Sequence, residues 1–147
     1  MNTSVQLTVA EVSATLFGTS TDRLVPTDTI IKTMLDVGTG ISDLIFSPGR
    51  PPQVERYGEL VEVKVDGLPT LRQEDTAGIA QDLIRGNETV LRTLKDSGST
   101  DLSYVVPDRC RFRVNVFRQR GTFAIVMRVI ASRACRRVSI HCRVRSL

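Results

Sequence analysis

The stretch RCRFRVNVFRQRGTFAIVMRVI, residues 109–130, predicts a β-hairpin with one apolar and one cationic face. Apolar and charged residues alternate at the start of the first half, and in the second half Arg128 falls on the face opposite Phe123, Ile125, Met127 and Val129, as expected of strands whose side chains point in turn to opposite faces. Gly121 lies between the halves and can adopt the positive φ that a tight turn requires. The residues predicted to face the core are Cys110, Phe112, Val114, Val116, Phe123, Ile125, Met127 and Val129.

The register of this hairpin follows from the requirement that both apolar faces meet the same core. In an antiparallel pair the residue numbers of two facing residues always add up to the same sum. The core-facing residues have even numbers in the first strand and odd numbers in the second, so this sum must be odd. A tight turn near residues 119–122 favours a sum of 241, which places Arg113 opposite Arg128. Facing like charges are unfavourable, so an anion gripped by both guanidinium groups would stabilise the pair. Alternatively, the two side chains point into water or meet carboxylates elsewhere in the chain.

Charge is distributed unevenly along the 147 residues. The net charge is +4, yet residues 1–108 contain nine basic and all sixteen acidic side chains. Residues 109–147 contain eleven arginines and no acid. The sequence therefore describes an acidic body followed by a cationic hairpin and a cationic tail.

Length and composition predict one soluble globular domain. The chain has no run of eighteen apolar residues, and its start lacks the basic segment of a secretory signal, so we expect a cytosolic protein. Cys135, His141 and Cys142 do not form a recognisable zinc motif, and the sequence predicts no metal site.

The remaining patterns indicate an α+β fold, in which helices pack against an antiparallel sheet. Helices are predicted over TIIKTMLDV with Thr27 or Asp28 as N-cap, over RQEDTAGIAQDLI up to Gly86, and over NETVLRTLKDSG between Asn87 and Gly98 as caps. Strands are predicted over SDLIF, QVERYG, ELVEVKV and TDLSYVV, with a turn at Gly58.

Three segments in this order resemble the N-terminal region of the PilT family of secretion ATPases, the twitching-motility motors of type IV pili. They are ISDLIFSPGRPPQVERYGEL, GSTDLSYVVPDRCRFRVNVFRQRG and AIVMRVI. The resemblance covers about residues 28–130 and implies a PAS-like α+β domain there. Residues 1–27 would be an N-terminal extension, and residues 131–147 an atypical arginine-rich tail.

The resemblance also implies a role and partners. In the family such a domain precedes a RecA-like ATPase domain, and six subunits form a ring that retracts pili. Arginines of the N-terminal domain reach the phosphates of ATP, which the ATPase domain binds with Mg²⁺. The matching positions are Arg113 and Arg128, with Asn115 and Arg120 as supporting residues. The implied partners are a RecA-like domain or homologous subunits and the pilus machinery, in the cytoplasm or at the periphery of the inner membrane.

The sequence departs from the family pattern in several places. No Gly-x-x-x-x-Gly-Lys-Ser/Thr motif is present, so we predict no catalytic residue and no ATP hydrolysis by this chain alone. Ile45 stands where the family usually has His, and Ala131 where it usually has Pro. Because the pattern is lost after residue 130, we expect a frame disruption that truncates a longer ATPase.

Two other function classes fit parts of the sequence. Eleven arginines without an acid would attract a nucleic-acid backbone in a salt-dependent way. However, aromatic residues are only 5% of the chain, which leaves few groups to stack on bases, so nucleic acid is the alternative and not the expected partner. A small-molecule sensor is the third class, for which no pocket is indicated by the sequence.

Overall fold

The computed structural model describes Thr8, Phe17, residues 25–107 and residues 109–130. The elements in chain order are α1 Thr27–Leu35, β1 Ile41–Phe46, β2 Gln53–Arg56, β3 Glu59–Glu62, α2 Gln73–Ile84, α3 Glu88–Ser97, β4 Ser99–Val106, β5 Cys110–Gln119 and β6 Thr122–Ile130. The strands form one antiparallel sheet in the order β3-β2-β1-β6-β5-β4. This confirms the predicted α+β class, while the arginine-rich tail and most of the N-terminal extension lie outside the described residues.

The three helices pack on the same face of the sheet. Ile31, Leu83 and Leu94, one from each helix, are buried in the same hydrophobic cluster as Phe112 and Met127 of the sheet. Burial of each such side chain contributes about 1.5–3 kcal/mol, so this shared core holds the two layers together. None of these described helices is long and apolar enough to span a membrane.

The opposite face of the sheet, which we call the open face, carries none of the described helices. Its side chains alternate with those of the core along each strand. By strand register the residues of the open face are Asp43, Ile45, Gln53, Glu55, Leu60, Glu62, Ser99, Asp101, Ser103, Val105, Arg111, Arg113, Asn115, Phe117, Gln119, Thr122, Ala124, Val126, Arg128 and Ile130.

Helix α1 begins differently from the sequence prediction. Pro26 is its N-cap residue, and no side chain caps the helix, so the prediction of Thr27 or Asp28 as the cap is wrong. The Thr27 hydroxyl instead donates to Oδ2 of Asp82 at 2.6 Å. The first turn of α1 is therefore attached to α2 by side chains.

Helix α3 has the predicted caps at both ends. Asn87 Oδ1 accepts a hydrogen bond from the backbone N–H of Val90 at 3.2 Å. Gly98 follows the helix with φ 81°, a conformation that costs glycine least. These two signals are local, which is why the sequence alone was sufficient to find them.

The turn between β2 and β3 is a strained one. Tyr57 and Gly58 have φ values of 51° and 81°, as in the two-residue hairpin turns that favour Asn-Gly or Gly-Gly. The Tyr57 hydroxyl compensates by hydrogen bonding to Thr39 Oγ1 at 2.6 Å. Its ring lies so close over Gly40 that a Cβ there would be 2.4 Å from the ring. The hairpin is thus attached to the loop before β1.

Tyr104 connects two helices to the sheet. Its hydroxyl donates to Asp28 Oδ1 at 2.5 Å and accepts from Arg85 Nη2 at 3.0 Å. The Arg85 guanidinium also lies over the ring, 5.1 Å from its centroid. Burial and the hydrogen bond to Asp28 raise the pKa of Tyr104. The phenol is therefore a neutral bridge between α1, α2 and β4.

Replacement of Tyr104 by Phe is expected to lower the free energy of unfolding by about 1–2 kcal/mol, because Asp28 and Arg85 both lose a hydrogen-bond partner while the ring packing remains. Urea denaturation measures the loss. Thr93→Ala is the control, since it removes an exposed hydroxyl on α3 and should change stability by less than about 0.5 kcal/mol. Equal losses in the two variants would contradict the bridging role.

The raised pKa of Tyr104 also predicts how stability depends on pH. The ordinary tyrosine pKa is 10.0, so the unfolded chain loses this proton first as pH rises. The stabilising contribution is complete below pH 10 and is lost between pH 10 and the higher pKa of the folded state. Tyr104→Phe should therefore lose less stability than the unmodified chain across that interval. Parallel pH profiles of unfolding free energy would argue against this assignment.

Candidate anion-binding site

The β5–β6 hairpin closes with a two-residue turn. Arg120 and Gly121 have φ values of 54° and 81°, so both central residues are left-handed, and Gln119 pairs with Thr122. A turn of this kind matches the twist of its strands and fixes their register. The predicted sum of 241 is confirmed along the whole ladder, from the turn to the open ends of the strands.

Arg113 lies directly opposite Arg128 on the open face. The Arg113 side chain is exposed, and within the described part of the chain no carboxylate lies within ion-pair distance of it. Arg111 is exposed on the same face of β5, and Ser103 of β4 pairs with Arg113 on its other side. The five donors of the Arg113 guanidinium are therefore available to a ligand.

Arg128 has a protein partner. Strand β1 lies beside β6 and places Asp43 opposite Arg128, with 3.3 Å between Arg128 Nε and Asp43 Oδ1. The Asp43 side chain is only 8% exposed, whereas that of Arg128 is 74% exposed. The contact engages Nε and leaves the two terminal amino groups of the guanidinium for an anion. Of the alternatives open from sequence, Arg128 thus meets a carboxylate, and Arg113 meets none among the described residues.

The structure places the two predicted supporting residues differently. Asn115 is the next residue of β5 after Arg113 on the open face. Its side-chain amide, however, donates to Asp101 Oδ1 at 3.0 Å and to the carbonyl of Thr100 at 3.3 Å. Arg120 lies in the hairpin turn. Arg120 lies seven positions beyond Arg113, which corresponds to about 23 Å along a strand at 3.3 Å per residue. The structure therefore does not bring these two side chains together.

Asp43 is the residue of the site that the sequence interpretation missed. It lies inside β1 and is buried. A signal was present, because the alternation in SDLIF puts Asp43 and Ile45 on the face opposite the buried Leu44 and Phe46. Ile45, at the position where the family that the sequence resembles usually has His, pairs with Val126. This is the next open-face pair between β1 and β6 after Asp43 and Arg128.

The arrangement suits a multiply charged oxyanion. Two guanidinium groups with planar, forked donors can grip phosphate oxygens in a bidentate way. Among the described residues, no group of three His, Cys, Asp or Glu side chains is placed to bind a metal ion.

A second concavity, of about 360 Å³, lies beside the start of α1. Its charged side chains already have protein partners: Asp28 and Arg85 bind the Tyr104 hydroxyl, and Asp82 binds Thr27. A network satisfied in this way has a structural explanation, whereas Arg113 has none. The anion site on the open face is therefore the stronger functional candidate.

Comparison with known proteins points to one family, although no protein-family model matches the chain. The type IV pilus retractation ATPase PilT of Pseudomonas aeruginosa is 32% identical over 94 residues, which cover 64% of this chain and 26% of that protein. The crystal structure of the pilus retraction motor PilT with bound ADP matches with a TM-score of 0.63 and 31% identity, covering 74% of this chain and 30% of that one. The ATPase DotB of Legionella pneumophila matches with a TM-score of 0.56 and 22% identity over 77% of this chain and 31% of its own, and shows the shared fold alone.

The matches cover most of this chain but only roughly a quarter to a third of the length of the proteins that it resembles. Within that span the similarity in sequence and the similarity in fold both lead to PilT. Together with the six-stranded antiparallel sheet and its three described helices, these matches support a counterpart of the N-terminal domain of the PilT-type secretion ATPase family.

Proposed function

We propose that this domain presents Arg113 and Arg128 to the phosphates of a nucleotide bound by a RecA-like ATPase domain, in a ring of subunits that retracts type IV pili. The supporting observation is the pair itself: two guanidinium groups face each other across β5 and β6, and Arg113 has no carboxylate partner among the described residues. Facing like charges destabilise a sheet, and a phosphate between them removes that repulsion. The relatives support a nucleotide as the source of this phosphate, because one PilT structure holds ADP.

The two arginines would contribute differently. Asp43 holds Arg128 through Nε, so the terminal amino groups of Arg128 are oriented before a ligand arrives. Such preorganisation reduces the entropy lost on binding. Arg113 carries the unbalanced charge and would supply most of the attraction. We assign hydrolysis, and the Mg²⁺ that it needs, to the ATPase domain, because this chain lacks a phosphate-cradling loop.

The partner and location follow from the same proposal. The ATPase domain would come from the same polypeptide in a longer protein or from a homologous subunit. The assembly would act beside the pilus machinery, at the cytoplasmic side of the inner membrane. Nucleic acid is the alternative ligand, and its longer backbone would engage the same arginines.

Replacement of Arg113 by Ala is expected to weaken binding of inorganic tripolyphosphate about tenfold or more, since a hydrogen bond to a charged group contributes about 1.5–3 kcal/mol. Isothermal titration calorimetry measures the change. Arg120→Ala is the matched control, because Arg120 is also exposed but lies in the turn. Equal weakening in both variants, or no binding to the unmodified chain, would contradict the proposal. Tighter binding of a single-stranded oligonucleotide than of tripolyphosphate would favour the nucleic-acid alternative.

Replacement of Arg128 by Ala is expected to lower the free energy of unfolding by about 1–2 kcal/mol, a value reduced for the solvent exposure of the arginine. The cause is the Asp43 carboxylate, which stays buried without its cation. Arg128→Ala combined with Asp43→Asn should recover most of the loss, whereas Arg113→Ala, which removes the facing like charge, should not lower stability. Urea denaturation of the single and double variants forms a double-mutant cycle. Strictly additive effects would show that the two residues do not interact.

A further inference from the structure

We infer that the open face is a contact surface for a second copy of this chain, with two copies packing face to face. The inference rests on the distribution of charge and apolar side chains across the sheet. It does not require that the arginines bind a nucleotide.

The charges of the open face are separated into two halves. Strands β1, β2 and β3 carry Asp43, Glu55 and Glu62 on this face, whereas β5 and β6 carry Arg111, Arg113 and Arg128; Asp101 of β4 is an acid at the rim of the cationic half. The boundary between the halves is the ion pair between Asp43 and Arg128. One half is therefore complementary in charge to the other.

Apolar side chains accompany both halves. The Leu60 side chain is 60% exposed on the acidic half, and Val105 and Ile130 are 51% and 36% exposed on the cationic half. Ile45 and Val126 form a half-buried apolar pair at the centre. Exposed apolar groups that share a face with complementary charge are typical of protein contacts.

A two-fold axis parallel to the strands, running between β1 and β6, matches the two halves. Such an axis places β1 over β6, β2 over β5 and β3 over β4 of the second copy, and each contact then occurs twice. The facing pairs are Arg113 with Glu55, Arg128 with Asp43, Val126 with Ile45, Asn115 with Gln53, and Ser103 with Leu60. Each of these five pairs avoids a contact between like charges, whereas a sixth pair at the rim, Asp101 with Glu62, brings two carboxylates together.

The size of the surface sets the expected strength. Six strands about 4.8 Å apart and about five residues long give a footprint of roughly 24 by 17 Å. The footprint is about 400 Å² per copy, which is below the range of stable specific interfaces and corresponds to a weak, transient contact. The dimer is therefore reversible, and its population rises with protein concentration.

A second copy fits the open face better than a nucleic acid. A polyanion would be attracted by the cationic half but repelled by Asp43, Glu55 and Glu62 on the other half. If the proposed function also holds, the two states exclude each other, because Glu55 of the second copy occupies the place of the phosphate at Arg113. The dimer would then be a resting form that nucleotide binding opens.

Charge exchange across the contact tests the dimer. We expect the unmodified chain to sediment as a concentration-dependent dimer, and Arg113→Glu and Glu55→Arg each to sediment as monomers at the same concentrations. Each single variant places two pairs of like charges across the axis. An equimolar mixture of the two variants should restore the dimer, because both contacts then join opposite charges.

Each result of this experiment has a defined meaning. A monomeric unmodified chain, a single variant that still dimerises, or a mixture that stays monomeric would overturn the inference. Circular dichroism checks that the variants fold; if a reversed charge prevents folding, Arg113→Gln and Glu55→Gln replace the pair and should each weaken the dimer. Glu55→Arg leaves Arg113 and Arg128 in place, so tripolyphosphate binding by this monomer tests the proposed function separately.

One unfavourable contact gives an independent check. The same alignment places Asp101 opposite Glu62 of the second copy, at the rim of the surface. Asp101→Asn removes this repulsion and keeps the size of the side chain, so it should tighten the dimer severalfold in sedimentation equilibrium. Weaker association of this variant would show that the two-fold alignment is wrong.

Discussion

The two-residue turn at Arg120 and Gly121 is the constraint on which the other features depend. In a sheet with one buried face, a slip of one residue moves every side chain to the wrong side. The turn excludes that slip, although it requires a positive φ at an arginine, which costs more than at glycine. The conformation is maintained because the register it imposes buries Phe112 and Met127 together. Placing Arg113 opposite Arg128 is a consequence of the same register.

The ion pair between Asp43 and Arg128 lies at the seam of the sheet. Strands β1, β2 and β3 are one continuous meander and β4, β5 and β6 are another, and within the sheet only the β1–β6 pairing joins them. Asp43 provides a counter-charge for one of the two facing arginines of the hairpin. In return, Arg128 provides a counter-charge for a carboxylate that is almost fully buried. Among the described residues Arg113 is left without a carboxylate, and for this reason the proposed anion site centres on it.

Much of this could be predicted from the sequence, because the deciding signals are local. Parity along β5 and β6 gave the register, and Asn87 and Gly98 gave the limits of α3. The role of Asp43 could not be found in this way, since its partner is 85 residues away and the pairing of β1 with β6 has no local signature. The predicted N-cap of α1 was wrong for a related reason. The Thr27 hydroxyl donates a hydrogen bond to Asp82, a residue that only the tertiary fold brings near.

The charge asymmetry of the chain becomes an asymmetry in space because of the strand order. The acidic body of the sequence supplies β1 to β3, and the cationic hairpin supplies β5 and β6, so a gradient along the chain becomes two halves of one face. A broad partner that covers the whole open face must therefore present both signs of charge. A small phosphate avoids this requirement, since it contacts Arg113 and Arg128 without reaching Glu55 or Glu62. On the proposed function and the inferred dimer, a compact anion and a charge-complementary protein surface would therefore compete for Arg113.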